Sequence, residues 1–141
     1  MNKITPFHLA FPVYNLKKTK EFYKNVLGCR VGRSAERWID FDFYGHQITA
    51  HLSTNDNKLR DINEVDSKKV PVSHFGLILL WKDWHSLSED LLDKKVKFII
   101  KPYIRFKGEI GEQATMFIGD PSENVIEFKS FKNKKMIFEK M

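Results

Sequence analysis

Two stretches of the chain, about residues 5–54 and 70–132, spell out the same succession of elements. In the first, the strand-like "TPFHLAFPV" precedes "YNLKKTKEFYKNVLG". There Leu16, Thr19, Phe22, Tyr23, Val26 and Leu27 fall at helical spacing between a capping Asn15 and a closing Gly28. "GCRVG" follows the helix, and the strand-like runs "RWIDFDF" and "GHQITAHLS" then flank a "YG" that reads as a hairpin turn. In the second stretch "SHFGLILL" is a strand, and "DWHSLSEDLLDKK" is a helix capped by Asp83, with Trp84, Leu87 and Leu91 at spacings of three and four. Strands follow at "VKFIIKPY", "QATMFIG" and "NVIEFKSF". Each half predicts βαβββ. Laying His8 on His74, an offset of 66 (74 − 8), brings Val26 and Leu27 onto Leu92 and Asp93, so the helix ends also coincide. The expected fold class is α+β, with two βαβββ modules in a single domain, 1–141. Module one covers about 5–54 and module two about 70–132; a polar connector read as loop, about 55–69, and a basic tail, 133–141, complete the chain.

Composition narrows the function classes. With 141 residues, 42% hydrophobic and 12 Phe, the chain has the material for one buried core and is unlike a disordered protein. The only cysteine, Cys29, excludes an intrachain disulfide framework and a multi-cysteine zinc site, and suits a reducing, cytoplasmic setting. No run is long and apolar enough to span a membrane, so no membrane partner is expected. The net charge of +6 raises the question of nucleic acid, but the lysines are scattered or gathered in "KSFKNKKMIFEK" without a nucleic-acid-binding signature. No nucleic-acid partner is expected; a basic surface instead steers anionic small molecules.

Three polar residues interrupt strands that are otherwise apolar. Side chains alternate along a strand, so Phe7, Leu9, Phe11 and Val13 share one face and leave His8 on the other; Phe75, Leu77 and Leu79 leave His74 opposite in the same way. In "NVIEFKSF", Ile126 and Phe128 take one face and Glu127 the other. A carboxylate inside a sheet is costly unless paired or bound to a cation. Two imidazoles and one carboxylate on neighbouring strands make a three-point metal site with open positions, the donor set of non-haem Fe(II) oxygenases and of several hydrolytic metals. Taken singly, each has a plainer reading as a hydrogen-bonded core histidine or an edge-strand ion pair; the equivalence of His8 and His74 within a repeat favours the metal.

These pieces resemble the vicinal oxygen chelate superfamily, which includes glyoxalases, bleomycin-resistance proteins, fosfomycin-inactivating thiol transferases and type I extradiol dioxygenases. The resemblance runs from about His8 to Phe131 and is most specific in "MFIGDPSENVIEF" and "HLAFPVYNLKKTKEFYKNVLGC". Within it, "PFHLAFPV", "WIDFDFYGHQITAHL", "VPVSHFG" and "GEQATMF" are most similar to small extradiol-type dioxygenases. The resemblance implies a curved mixed sheet around a metal-binding cleft, with His8, His74 and Glu127 as ligands. The implied metal is Fe(II), with Mn(II), Zn(II) or Ni(II) as alternatives. In the implied reaction Fe(II) binds both catecholate oxygens and O2, and the ring opens beside the hydroxyls.

The pattern also departs from those relatives. The tyrosine that extradiol enzymes place ten residues before the ligand glutamate is here Phe117, nominated as a substrate contact. Their fourth-strand histidine has no clear match; His51, on the face of Gln47 and Thr49, is the candidate acid/base, while His46 and His85 read as surface residues. Ala10 stands where the thiol transferases have threonine, and "GHQITAHLS" lacks the fourth carboxylate ligand of glyoxalases. Arg105 is a candidate carboxylate clamp, Arg33 a weaker one, and Trp38 reads as a core or rim aromatic. The alternatives to a dioxygenase are a glyoxalase-type metal-dependent lyase or isomerase, or a metal-free module that binds a small molecule. A homodimer is the expected assembly.

Overall fold

The computed structural model describes residues 4–54 and 62–140. They fall into two compact units, one comprising residues 4–54 with 120–124, the other residues 62–119 with 125–140. Each unit holds a four-stranded mixed sheet, as the α+β, βαβββ expectation requires.

In unit one, β1 (His8–Val13) leads through α1 (Leu16–Glu21) to β2 (Arg30–Ala35), β3 (Trp38–Phe43) and β4 (His46–Leu52). The strand order is β1-β4-β3-β2, with β1 and β4 parallel and the other pairs antiparallel. Asn15 caps α1 as the sequence suggests, its side chain accepting the Lys18 N–H at 2.9 Å. Phe22–Val26 continues α1 as a π-helical turn, in which the Leu27 N–H reaches the Phe22 carbonyl. Gly28 then takes φ of 71°, a left-handed closure that glycine tolerates, and the Cys29 N–H returns to the Tyr23 carbonyl at 2.8 Å. Tyr44 and Gly45 form the β3–β4 turn, both at positive φ, which is the two-residue geometry matched to strand twist. Val13, Thr19, Tyr23, Phe41, Phe43, Ile48 and Ala50 are among the buried side chains of this unit.

Unit two contains β5 (Ile62–Val65) and β6 (Lys68–Pro71), then β7 (Phe75–Leu79), α2 (Trp81–Asp93), β8 (Phe98–Arg105), β9 (Gln113–Gly119) and β10 (Val125–Phe131). Its sheet order is β7-β10-β9-β8, the same pattern as in unit one, with β7 and β10 parallel. Trp84 and Leu91 of α2 are buried together with Met116, Ile118, Ile126 and Phe128, and the Trp84 indole N–H donates to the Phe128 carbonyl at 2.8 Å. Two expectations need correction here. Asp83 is not the helix cap: the cap is Leu80, three residues earlier, α2 begins at Trp81, and Asp83 lies inside the first turn, where its charge still suits the helix N-terminus. The connector is not all loop: its latter part forms the β5–β6 hairpin, turning at Asp66 and Ser67 with φ of 51° and 60°. The earlier connector residues, 55–61, lie outside the described residues. In the basic tail, Lys134–Ile137 forms a short 3-10 helix.

Unit one also takes in the loop Asp120–Asn124. Asp120 accepts hydrogen bonds from the Tyr23 hydroxyl at 2.9 Å and from the backbone N–H groups of Ser122 and Asn124 at 2.8 Å. Asn124 in turn donates to the Pro12 carbonyl, and the Tyr14 N–H donates to the Ser122 hydroxyl. The "GDPSEN" part of the recognised motif is therefore a structural tie around a buried carboxylate.

Candidate functional site

In unit two the chain bends after β6 and delivers His74 as the last residue before β7. Its Nδ1 lies 2.7 Å from the Pro71 carbonyl. A carbonyl only accepts, so Nδ1 carries the hydrogen and the neutral ring is left with its lone pair on Nε2. That nitrogen stands 3.2 Å from Oε1 of Glu127. The other carboxylate oxygen, Oε2, accepts the Thr115 hydroxyl at 2.5 Å. Phe117, only 3% exposed, meets the His74 ring edge-on, with centroids 5.1 Å apart. Phe117 is packed into a buried cluster with Ile100 and Val125.

Backbone packing fixes the position of Glu127. Gly76 pairs with it across β7 and β10, and a Cβ at Gly76 would sit 1.6 Å from the Glu127 carbonyl oxygen. No side chain fits there without moving β10. Electrostatics pull the pair toward opposite charges. The Glu127 hydrogen bond raises the His74 pKa above its ordinary value, against partial burial. Burial pushes the Glu127 carboxyl up, but hydrogen bonds from His74 and Thr115 outweigh it and hold the group below its usual range.

The same two atoms fit a divalent cation. Nitrogen and oxygen ligands at about 2.1 Å from one ion, at an angle between 90° and 109°, lie about 3.0–3.4 Å apart, which brackets the observed 3.2 Å. The Pro71 carbonyl supplies the outer hydrogen bond that orients a ligating histidine, and Thr115 does the same for the carboxylate.

Of the three nominated ligands, the structure brings His74 and Glu127 together, while His8 belongs to unit one. Among the described residues of either unit, no three His, Cys, Asp or Glu side chains are grouped as a metal-holding set. His8 is exposed on β1, opposite Gln47 of β4. The register makes Thr49, opposite Ala10, the counterpart of Glu127, and Asp40, opposite Thr49, the counterpart of Phe117. Asp40 is 6% exposed, accepts the Thr49 hydroxyl at 2.6 Å and has the Arg33 Nε at 3.7 Å. His51 is exposed on the same face, between Pro12 and Trp38. His46 accepts the Phe7 N–H on Nδ1 at 2.8 Å, and the His85 ring rests against Trp81 and Trp84.

Arg105 ends β8 and is not in a loop: its Nε donates to Asp66 Oδ2 at 2.5 Å, and the Tyr103 hydroxyl donates to the same oxygen at 3.0 Å. Cys29 is 5% exposed and its thiol is pushed up to about 12, by burial first and then by Asp42, so it is no nucleophile. Sequence reasoning missed Thr115, Tyr103, Asp66 and Asp40. Alternation does place Thr115 on the face of Phe117, two residues along β9, but nothing in the sequence carried Asp66 to Arg105.

The profile of the Glyoxalase/Bleomycin resistance protein/Dioxygenase superfamily matches residues 5–128, and the chain belongs to that superfamily. It is similar to a glyoxalase/bleomycin resistance protein/dioxygenase from Alicyclobacillus acidocaldarius at 31% identity and a TM-score of 0.80, over 98% of this chain and 100% of that one. The fold is also that of a fosfomycin resistance protein from Listeria monocytogenes, with 16% identity, TM-score 0.67, and 97% and 99% of the two chains covered. A lactoylglutathione lyase from Agrobacterium tumefaciens has it too, with 12% identity, TM-score 0.63, and 94% and 97% covered. Comparison with curated proteins finds no match. Among the described residues, no helix is long and apolar enough to cross a membrane.

Proposed function

We propose that the protein is a divalent-metal-dependent enzyme of the extradiol dioxygenase type, acting on a small molecule with adjacent oxygens, such as a catechol. The observation that carries this reading is the His74–Glu127 pair, with its lone pair freed by the Pro71 contact and its 3.2 Å separation. His8, which holds in β1 the place His74 holds before β7, is the proposed third ligand. A bound ion, Fe(II) by preference, would supply a Lewis acid for two neighbouring substrate oxygens and a site for O2 chemistry. The chain's own residues do the rest. Thr115 and Pro71 orient the carboxylate and the imidazole, Phe117 buttresses the ring, and His51 is the proposed proton acceptor for a substrate hydroxyl. We place the protein in the cytoplasm as a homodimer, an assembly that sedimentation would check.

An oxygen-independent lyase or isomerase of glyoxalase type is the second reading. Asp40 favours it, because a buried carboxylate stands beside Thr49 although β4 itself has none.

Metal analysis of protein purified without oxygen should find about one divalent ion per chain, and none in His74→Ala. If both stay empty after soaking with Fe(II), Mn(II) and Zn(II), the metal-free binding module replaces both readings. Oxygen uptake with a panel of catechols then separates the oxygenase from the lyase.

A further inference from the structure

The turn of the β5–β6 hairpin holds a carboxylate in the grip of groups suited to a ligand. Asp66 Oδ2 accepts from the Arg105 guanidinium and the Tyr103 phenol at once, and Lys68 Nζ lies 4.3 Å from the centre of the Tyr103 ring. A guanidinium and a phenol donating to one carboxylate oxygen form the donor set of a carboxylate receptor, and the ammonium over the phenol ring adds positive charge beside it. The Arg105 hydrogen bond, supported by Tyr103, keeps the Asp66 carboxyl below its ordinary range, so it fills this place as an anion.

The receptor adjoins the candidate site. Tyr103 and Arg105 pair with Thr115 and Gln113 across β8 and β9. Thr115 is the donor to Glu127, and Tyr103 packs on the cluster containing Phe117, whose ring touches His74. Arg105 and Tyr103 come from the sheet, whereas Asp66 is exposed on a hairpin turn joined to that face. A side chain so placed can leave without disturbing the sheet.

We propose that Arg105 and Tyr103 form an anion-binding site, that Asp66 occupies it in the free protein, and that the carboxylate of a small acidic ligand binds by displacing Asp66. As a statement about substrate class this rests on the metal-site reading, through adjacency to His74 and Glu127; as a statement about binding it stands alone. The adjoining Tyr103 ring, only partly buried, suits an aromatic acid.

Benzoate is the probe, titrated into chelator-treated protein and followed by calorimetry or amide NMR shifts, with benzamide as its neutral counterpart. Asp66→Asn keeps a residue that tolerates the left-handed turn while removing the competing charge. The variant is expected to bind benzoate about 10-fold more tightly than wild type, since a charge-assisted hydrogen bond is about twice as strong as a neutral one. Asp66→Asn combined with Arg105→Gln is expected to lose that gain, and benzamide to bind all three proteins alike. Equal benzoate affinity in wild type and Asp66→Asn, or a gain that survives Arg105→Gln, overturns the inference and leaves Asp66 as a hairpin latch. Because the metal has been stripped, an empty metal site does not alter this result, and a failure here leaves the metal reading intact.

Discussion

His74 and Glu127 compete for one proton with any cation that binds between them. Without metal, His74 gains a partner and its folded pKa rises above 6.5, so its contribution to stability is full below 6.5 and is lost as pH climbs through the folded value. Glu127 has a folded pKa below 4.5, so its contribution is present above 4.5 and is lost as pH falls through the folded value. The stability difference between chelator-treated wild type and His74→Ala is therefore expected to be largest between 4.5 and 6.5 and to shrink on either side, as read by urea unfolding across pH. Metal affinity should move the other way, rising with pH as the proton leaves Nε2. A pair that serves only as an ion pair would show the first behaviour without the second. Both residues were legible from the sequence because each breaks an apolar alternation. Their supporting contacts were not, since Pro71, Thr115 and Phe117 reach them through a bend and cross-strand register.

Elements set by hydrophobic spacing were read well, and those set by local backbone geometry less so. Asn15, Gly28 and the Tyr44-Gly45 turn carry recognised chemistry and do what that chemistry says. The β5–β6 hairpin was missed because Glu64 and Lys69 face each other across polar strands and its Asp66-Ser67 turn lacks the usual glycine. The π-helical turn at Phe22–Val26 leaves no trace in residue spacing. The two helices also end differently: where Gly28 closes the first, Lys95 closes the second at φ of 56°, a conformation costly for a residue with a Cβ. Lys95 is exposed, and the Val96 N–H still returns to the Leu91 carbonyl at 3.2 Å. Lys95→Gly is expected to stabilise the protein by about 1 kcal/mol, measured as a shift of the denaturation midpoint with unchanged slope.

Across the whole molecule, the two units keep one strand order and diverge in the residues set upon it. The repeat could be read from the chain because burial dictates which positions are apolar. The divergence at Thr49 for Glu127, and at Asp40 for Phe117, needed the register. The single cysteine offers a way to watch this architecture come apart. A thiol held at about 12, against 9.0 when free, presents roughly a thousandth of the thiolate of an unfolded chain at mildly alkaline pH. Cys29 is therefore expected to react with a chromogenic disulfide only when the native state opens, at a rate that slows in step with any gain in global stability. A rate independent of stability would mean that a smaller excursion near the first helix frees it. The chain thus carries its own unfolding clock, with one hand and no engineered label.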